Sequence, residues 1–112
     1  MYKENVRRLL LQDAYLANKH LVQILGFNEA VVLSVLIDHH KTIEIQGRCD
    51  SDWFAIKKEE LQNALNMGRH CVDSALHNLV ARDLIEETKP QGVPPSKSYR
   101  INYEKIEDLF NS

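Results

Sequence analysis

Two short amphipathic segments separated by a three-residue break constrain the fold more than any other feature of the sequence. In the second segment, apolar residues recur at i, i+3, i+4, i+7 and i+8: Val72, Ala75, Leu76, Leu79 and Val80. This spacing predicts an amphipathic helix from Arg69 to about Arg82. Residues 57–65 show helical spacing as well. Between the two, Asn66 and Gly68 tolerate a left-handed backbone, which predicts a sharp helix-to-helix turn.

A β-hairpin is predicted directly after these helices. Residues 84–88 and 98–102 are rich in β-branched, aromatic and long side chains. The segment between them holds all three prolines and a glycine, which excludes regular structure and predicts a long hairpin tip. Upstream, Trp53-Phe54-Ala55 predicts a third short strand. We expect that strand to bury one of its two aromatic rings in the core instead of stacking both on nucleic-acid bases.

The remaining helices surround an apolar segment. Residues 29–40 are apolar nearly all round, which predicts a central buried helix with Asn28 as its N-cap, after a helical stop at Gly26. A polar loop is expected over residues 42–52. Residues 19–25 and 103–110 predict shorter helices. The fold class is α+β, mainly α, with residues 1–25 as an N-terminal helical extension and residues 26–112 as the principal domain.

Residues 61–79 resemble the winged helix-turn-helix pattern, in which a leucine-rich helix, a tight turn and a second apolar-striped helix follow one another. Residues 80–85 resemble the L-x-x-x-G-L-I strand entry of that family, with Asp83 where glycine is usual. Asn66 is a second departure from a usual glycine. The resemblance implies a winged helix with an additional N-terminal helix and a short C-terminal helix.

A narrower resemblance covers roughly residues 14 to 110. Residues 25–33, the Trp53-Phe54 pair, residues 92–95 and residues 99–103 are similar to the N-terminal domain of phage and plasmid replication initiators, or replisome organisers. DnaD-type primosomal proteins look similar. This resemblance implies a DNA-binding domain that recognises repeats at a replication origin, with other replication proteins as partners.

In a winged helix the second helix enters the major groove and the hairpin contacts the DNA backbone. The candidate recognition residues are the polar ones on that helix: Arg69, His70, Asp73, Ser74, His77 and Asn78. The candidate wing and backbone contacts are Lys58, Lys89, Lys97 and Arg100. The segment from Thr88 to Arg100 holds three basic residues and no acidic one, a local charge of +3 that favours phosphate contact.

The extension of residues 1–25 suggests a homodimer, because an N-terminal amphipathic helix can pair two winged helices on two half-sites. Its basic residues are Lys3, Arg7 and Arg8. Histidines His39 and His40, near the predicted helix end, are expected to interact with its C-terminal dipole. Cys71 is expected to pack beside the apolar stripe as a small hydrophobic residue.

Composition limits the remaining possibilities. A net charge of −2 excludes a protein that coats nucleic acid over its whole surface. The sequence lacks an apolar run long enough for a membrane span, an export signal, close cysteine pairs, metal-ligand spacing and a phosphate-binding glycine-rich loop. We therefore expect a cytoplasmic protein with no enzyme activity, cofactor or metal. A stand-alone transcriptional regulator and a winged-helix protein-interaction module without DNA binding remain as alternatives.

Overall fold

The structure is a computed structural model. It describes residues 3–4, 19–47, 52–88 and 97–111. Besides the helical residues 3 and 4, these ranges contain five helices and three short strands. In chain order they are α1 (Lys19–Leu25), α2 (Phe27–Ile45), β1 (Trp53–Ala55), α3 (Lys58–Leu65), α4 (Arg69–Ala81), β2 (Ile85–Glu87), β3 (Ser98–Ile101) and α5 (Tyr103–Asn111). This is an α+β arrangement, and it confirms the fold class.

Gly26 joins α1 to α2 without an intervening loop. Its N–H donates to the carbonyl of Val22 (2.9 Å), and its own carbonyl accepts from the N–H of Ala30 (3.1 Å). Gly26 therefore ends α1, as predicted, and is also the N-cap of α2. The prediction of an N-cap at Asn28 is wrong, because the φ of 96° at Gly26 turns the chain at once and the helix begins at Phe27.

Helix α2 continues to Ile45, beyond the end predicted at His40. Ile43 is half-buried and packs against the core, so it keeps the apolar face of the helix going. The Thr42 hydroxyl donates to the carbonyl of Asp38 (2.9 Å), one turn earlier. The first part of the predicted loop is therefore helical, and the chain leaves the helix at Gln46.

His40 is a buried link between elements and not a dipole partner at a helix end. The residue is 2% exposed, and its ring stacks on Phe54 with centroids 5.0 Å apart. Its Nδ1 lies 2.7 Å from the hydroxyl oxygen of Tyr103, and its Nε2 lies 2.9 Å from a carboxylate oxygen of Glu44. His40 thus ties α2 to β1 and α5. The neighbouring His39 contacts the carbonyl of Ala55 (3.2 Å) and is also away from the helix end.

The predicted helix-turn-helix is confirmed. Asn66 has φ 53° and ψ 42°, the left-handed conformation that the turn requires, and the N–H of Met67 bonds to the carbonyl of Gln62 (3.2 Å). Helix α4 then begins at Arg69 and buries four members of its apolar stripe: Val72, Ala75, Leu76 and Leu79. These side chains pack with α2 and α3, so the core fixes which side of α4 faces outward.

The turn after α4 explains a departure from the winged-helix sequence pattern. Asp83 has φ 61°, so the position where glycine is usual does need a left-handed residue. Aspartate adopts this conformation more readily than most residues with a side chain. The N–H of Leu84 bonds to the carbonyl of Leu79 (3.1 Å), and the Asn102 side chain donates to the carbonyl of Asp83 (3.2 Å). The chain therefore enters β2 in a fixed orientation.

Three antiparallel strands form one sheet in the order β1-β3-β2. The β2–β3 pair confirms the predicted hairpin. On β3, Tyr99 and Ile101 are buried against the helices, whereas Arg100 points to the other face because side chains alternate along a strand. In β1, Phe54 is buried and Trp53 is half-buried, as expected of a strand that gives one ring to the core.

Several predictions lie outside the described residues. They concern residues 5–18, which form most of the predicted N-terminal helical extension, residues 48–51 of the predicted loop, and residues 89–96, the hairpin tip with Lys89. Lys3 and Glu4 are helical and exposed. In α1, Leu21 and Leu25 are buried in the same core as α2. The division at residue 25 stays a prediction.

Candidate nucleic-acid interface

The outer face of α4 is polar and accessible. His70, Ser74 and His77 are exposed and follow one another at i, i+4 and i+7, opposite the buried stripe. Arg69, in the first turn, has a side chain that is 76% exposed. Cys71 is also exposed, so the expectation that it packs against the core is wrong. Its position lies beside the outer face, beyond the edge of the apolar stripe.

Asp73 forms the electrostatic centre of this region. Its carboxylate lies 2.6 Å from the Lys58 Nζ and 4.0 Å from the Arg69 Nε. The hydrogen bond from Lys58 holds the pKa of Asp73 below its usual value, against an opposing effect of partial burial, and the charges of Lys58, Arg69 and Lys97 add to the lowering. Asp73 is therefore an anion on α4 at neutral pH. It connects the first turns of α3 and α4.

Asn78 is anchored to the core helix. Its side-chain Nδ2 donates to a carboxylate oxygen of Glu29 on α2, at 2.8 Å. The contact links α4 to α2 in addition to the packing of the apolar stripe, and it occupies one donor of Asn78. No local sequence pattern could predict this contact, because the two residues are 49 positions apart.

The two described wing cations are each matched by an acidic residue on the neighbouring strand. Lys97 Nζ lies 3.5 Å from a carboxylate oxygen of Glu87, and Arg100 forms an ion pair with Glu86. The hydrogen bond to Glu86 also raises the pKa of the Arg100 guanidinium. The local charge of +3 predicted from the sequence counts residues 88–100 and does not include Glu86 and Glu87 on the neighbouring strand. In the folded hairpin, the described base of the wing has two positive and two negative charges, so it is not an acid-free surface.

Arg100 and Lys97 lie on different sides of the sheet. Arg100 sits over the ring of Trp53, 5.1 Å from its centroid, on the outer face of the sheet. Lys97, with the opposite parity on the strand, acts on the charge of Asp73. The fold therefore places Lys58 and Arg69 against Asp73, and the charge of Lys97, which pairs with Glu87, acts on the same carboxylate. Arg100 lies apart from that group.

The described residues were also searched for groups of metal ligands and for membrane-spanning helices. No group of three or more histidine, cysteine, aspartate or glutamate side chains in these ranges is placed to hold a metal ion. None of the helices in the described ranges is both long enough and apolar enough to cross a membrane.

Comparisons with known proteins relate the chain to one solved fold. No protein-family model matches it, and no curated protein matches it in sequence. The chain is similar to a solved structure described as the N-terminal domain of a DNA binding protein, with a TM-score of 0.61 and 15% sequence identity. The match covers 97% of this chain and 89% of that chain. At this level of identity the likeness concerns the fold, and the chain shares the overall arrangement of that domain.

Proposed function

We propose that the chain binds double-stranded DNA, with α4 in the major groove and the β2–β3 hairpin against the backbone. The observation that carries this proposal is the polar, exposed face of α4, with Arg69 in its first turn and Lys58 of α3 paired to Asp73 on the same helix. Lys97, just before β3, adds a third cation whose charge acts on Asp73. The solved structure of similar fold, which is itself described as part of a DNA binding protein, supports the same function.

The candidate residues divide into three roles. Arg69 reaches a guanine edge or a phosphate, and His70, Ser74 and His77 supply hydrogen bonds to base edges. Lys58, Lys97 and Lys89 contact phosphates. Of the remaining three, the geometry favours anchoring roles for Asn78, which holds α4 to α2, and for Arg100, which holds the hairpin through its contacts on the outer face of the sheet. Asp73 pairs with Lys58 and Arg69.

The substitution Arg69→Ala should weaken binding to a generic fluorescent duplex several-fold, equivalent to about 1 kcal/mol, because it removes the most exposed cation of the group. Fluorescence anisotropy at about 50 and about 200 mM salt measures the effect, and the wild-type affinity should fall steeply between them. The matched control is Lys105→Ala, which removes one exposed positive charge from α5.

Equal losses for Arg69→Ala and Lys105→Ala would contradict the interface, since they would reflect net charge alone. Failure of the folded wild-type protein to bind at low salt would overturn DNA binding altogether. That result would favour the alternative of a protein-interaction module without DNA binding. The acidic partners of Lys58, Lys97 and Arg100 are consistent with that alternative, because they neutralise cations that would otherwise contact phosphates.

We also propose that the DNA-binding role belongs to a phage or plasmid replication initiator or replisome organiser. The support is the resemblance of residues 25–33, 53–54, 92–95 and 99–103 to such domains. The test is to select and sequence the fragments that the protein binds from the genomic DNA of its own organism. Clustered repeats at a replication origin are expected, whereas isolated sites upstream of genes would indicate the transcriptional regulator.

A homodimer is the expected oligomeric state, formed through the N-terminal amphipathic segment. Sedimentation equilibrium of the full chain should give twice the monomer mass, because an N-terminal amphipathic helix can pair two winged helices so that each binds one half-site on the DNA. Substituting Leu9 and Leu10 together by serine should restore the monomer mass if that segment is the interface. A monomer at all concentrations, or a dimer that the double substitution leaves intact, would contradict the prediction.

A further inference from the structure

Two cations from separate helices pair with one carboxylate at the candidate interface, and the charge of a third cation acts on the same carboxylate. Lys58 is in the first turn of α3, Arg69 is in the first turn of α4, and Lys97 immediately precedes β3. A carboxylate oxygen of Asp73 lies 2.6 Å from the Lys58 Nζ, and the other lies 4.0 Å from the Arg69 Nε. Lys97 acts on Asp73 through its charge. Such a convergence of donors is also what binds a phosphate group.

The group is open to solvent, so an external anion can reach it. The Asp73 side chain is 41% exposed and that of Lys58 is 33% exposed. Arg69 is the most accessible of the three cations. The oxygen of Asp73 that faces Lys58 is buried, but the rest of the side chain is reached by solvent, so a DNA phosphate can approach the same cations.

From this geometry we infer that Asp73 acts as an internal competitor for the phosphate site of Lys58, Arg69 and Lys97, and so lowers the affinity for DNA of arbitrary sequence. The inference rests on the proposed function and assigns Asp73 a role in specificity. A phosphate that engages these cations must compete with carboxylates that already pair with them, Asp73 with Lys58 and Arg69, and Glu87 with Lys97. The gain from backbone contact is thereby reduced, and contacts to base edges by His70, Ser74 and His77 carry a larger share of the binding.

The charges around the site agree with this role. Lys97 also pairs with Glu87 at 3.5 Å, so three positive and two negative charges meet at the group and leave a net charge of +1. Neutralising Asp73 raises that value to +2. It also frees Lys58, whose nearest carboxylate is then lost.

The test is Asp73→Asn, which keeps the shape of the side chain and removes its charge. The matched control is Asp83→Asn, which changes the net charge by the same amount. Asp83 is exposed, and among the described residues it has no ion-pair partner. Its backbone is left-handed, a conformation that asparagine tolerates. Binding to a generic labelled duplex is measured by fluorescence anisotropy over a salt series. Circular dichroism verifies that each variant is folded.

Asp73→Asn should bind the generic duplex about tenfold more tightly at low salt. The logarithm of its binding constant should also fall more steeply with the logarithm of the salt concentration, by a slope of roughly 0.9 for each of about one to two additional phosphate contacts. Asp83→Asn should change the affinity less than about threefold. Glu87→Gln, which releases Lys97 alone, should give a smaller increase in the same direction. Together these results would assign the effect to the released cations and not to net charge.

Each contrary result has a separate meaning. Equal gains for Asp73→Asn and Asp83→Asn would overturn the inference, because the effect would then be one of general charge. Weaker binding by Asp73→Asn would also overturn it, since Asp73 would then support the contact made by Arg69. If neither the wild type nor Asp73→Asn binds at low salt while folded, the proposed function itself falls, and the inference falls with it.

Discussion

Gly26→Ala is expected to lower the free energy of unfolding by about 2 to 3 kcal/mol, as measured by urea denaturation. The backbone of Gly26 has φ 96° and ψ 161°, a region that residues with a β-carbon rarely adopt and in which strain costs about 1 to 3 kcal/mol. An added β-carbon would also lie 3.0 Å from a carboxylate oxygen of Glu29. That carboxylate would have to shift by a few tenths of an ångström, which would weaken the hydrogen bond that its other oxygen accepts from Asn78.

Two variants at Glu29 separate these contributions. Glu29→Gln retains an oxygen that can accept from Asn78, so it should lose less than about 1 kcal/mol. Glu29→Ala removes the acceptor and should lose about 1 kcal/mol. A loss for Gly26→Ala no greater than that for Glu29→Ala would contradict the strain argument, because the hydrogen bond alone would then account for the whole effect.

Gly26 and Glu29 also connect the core to the candidate interface. Gly26 lets α2 begin directly after α1, and the absence of a side chain there leaves room for the Glu29 carboxylate. Glu29 in turn accepts from Asn78 on α4. The junction of two core helices therefore helps to set the orientation in which α4 presents His70, Ser74 and His77.

The sequence predicts elements well where burial and local geometry agree. The stripe of α4 is buried at four of its positions, so its period determines both the helix and its inner face. Asn66 likewise adopts the left-handed conformation that its place in a short turn requires. The start of α2 is different, because the tight junction at Gly26 prevails over the capping preference of Asn28.

The ion pairs of the candidate site depend on contacts that no local pattern contains. Lys58 and Asp73 belong to different helices and meet only because of the way α4 crosses α3. Glu87 and Lys97 meet through the register of the hairpin, in which Glu87 lies opposite Tyr99. A charge sum over residues 88–100 therefore identified basic residues correctly but omitted the acidic partners that neutralise two of them.

Tyr99 should make the protein unstable in alkali. Its side chain is 1% exposed, and burial raises its pKa to about 12, with smaller contributions from the charges of Glu87 and Asp73. In the unfolded chain tyrosine titrates near pH 10. Above that pH the unfolded state loses a proton that the folded state retains, so stability is complete below about pH 10 and is lost as the pH rises towards 12. The expected loss is about 2 to 3 kcal/mol.

Tyr99→Phe provides the comparison, since it keeps the buried ring and removes the titrating hydroxyl. The free energy of unfolding, measured by urea denaturation from about pH 9 to about pH 12, should fall by about 2 to 3 kcal/mol more in the wild type than in this variant. Tyr103 also has a raised pKa, but it is present in both proteins and its effect cancels. Parallel profiles would refute the assignment to Tyr99. If Asp73→Asn removed most of the alkaline loss, the nearby charge and not burial would be the main cause.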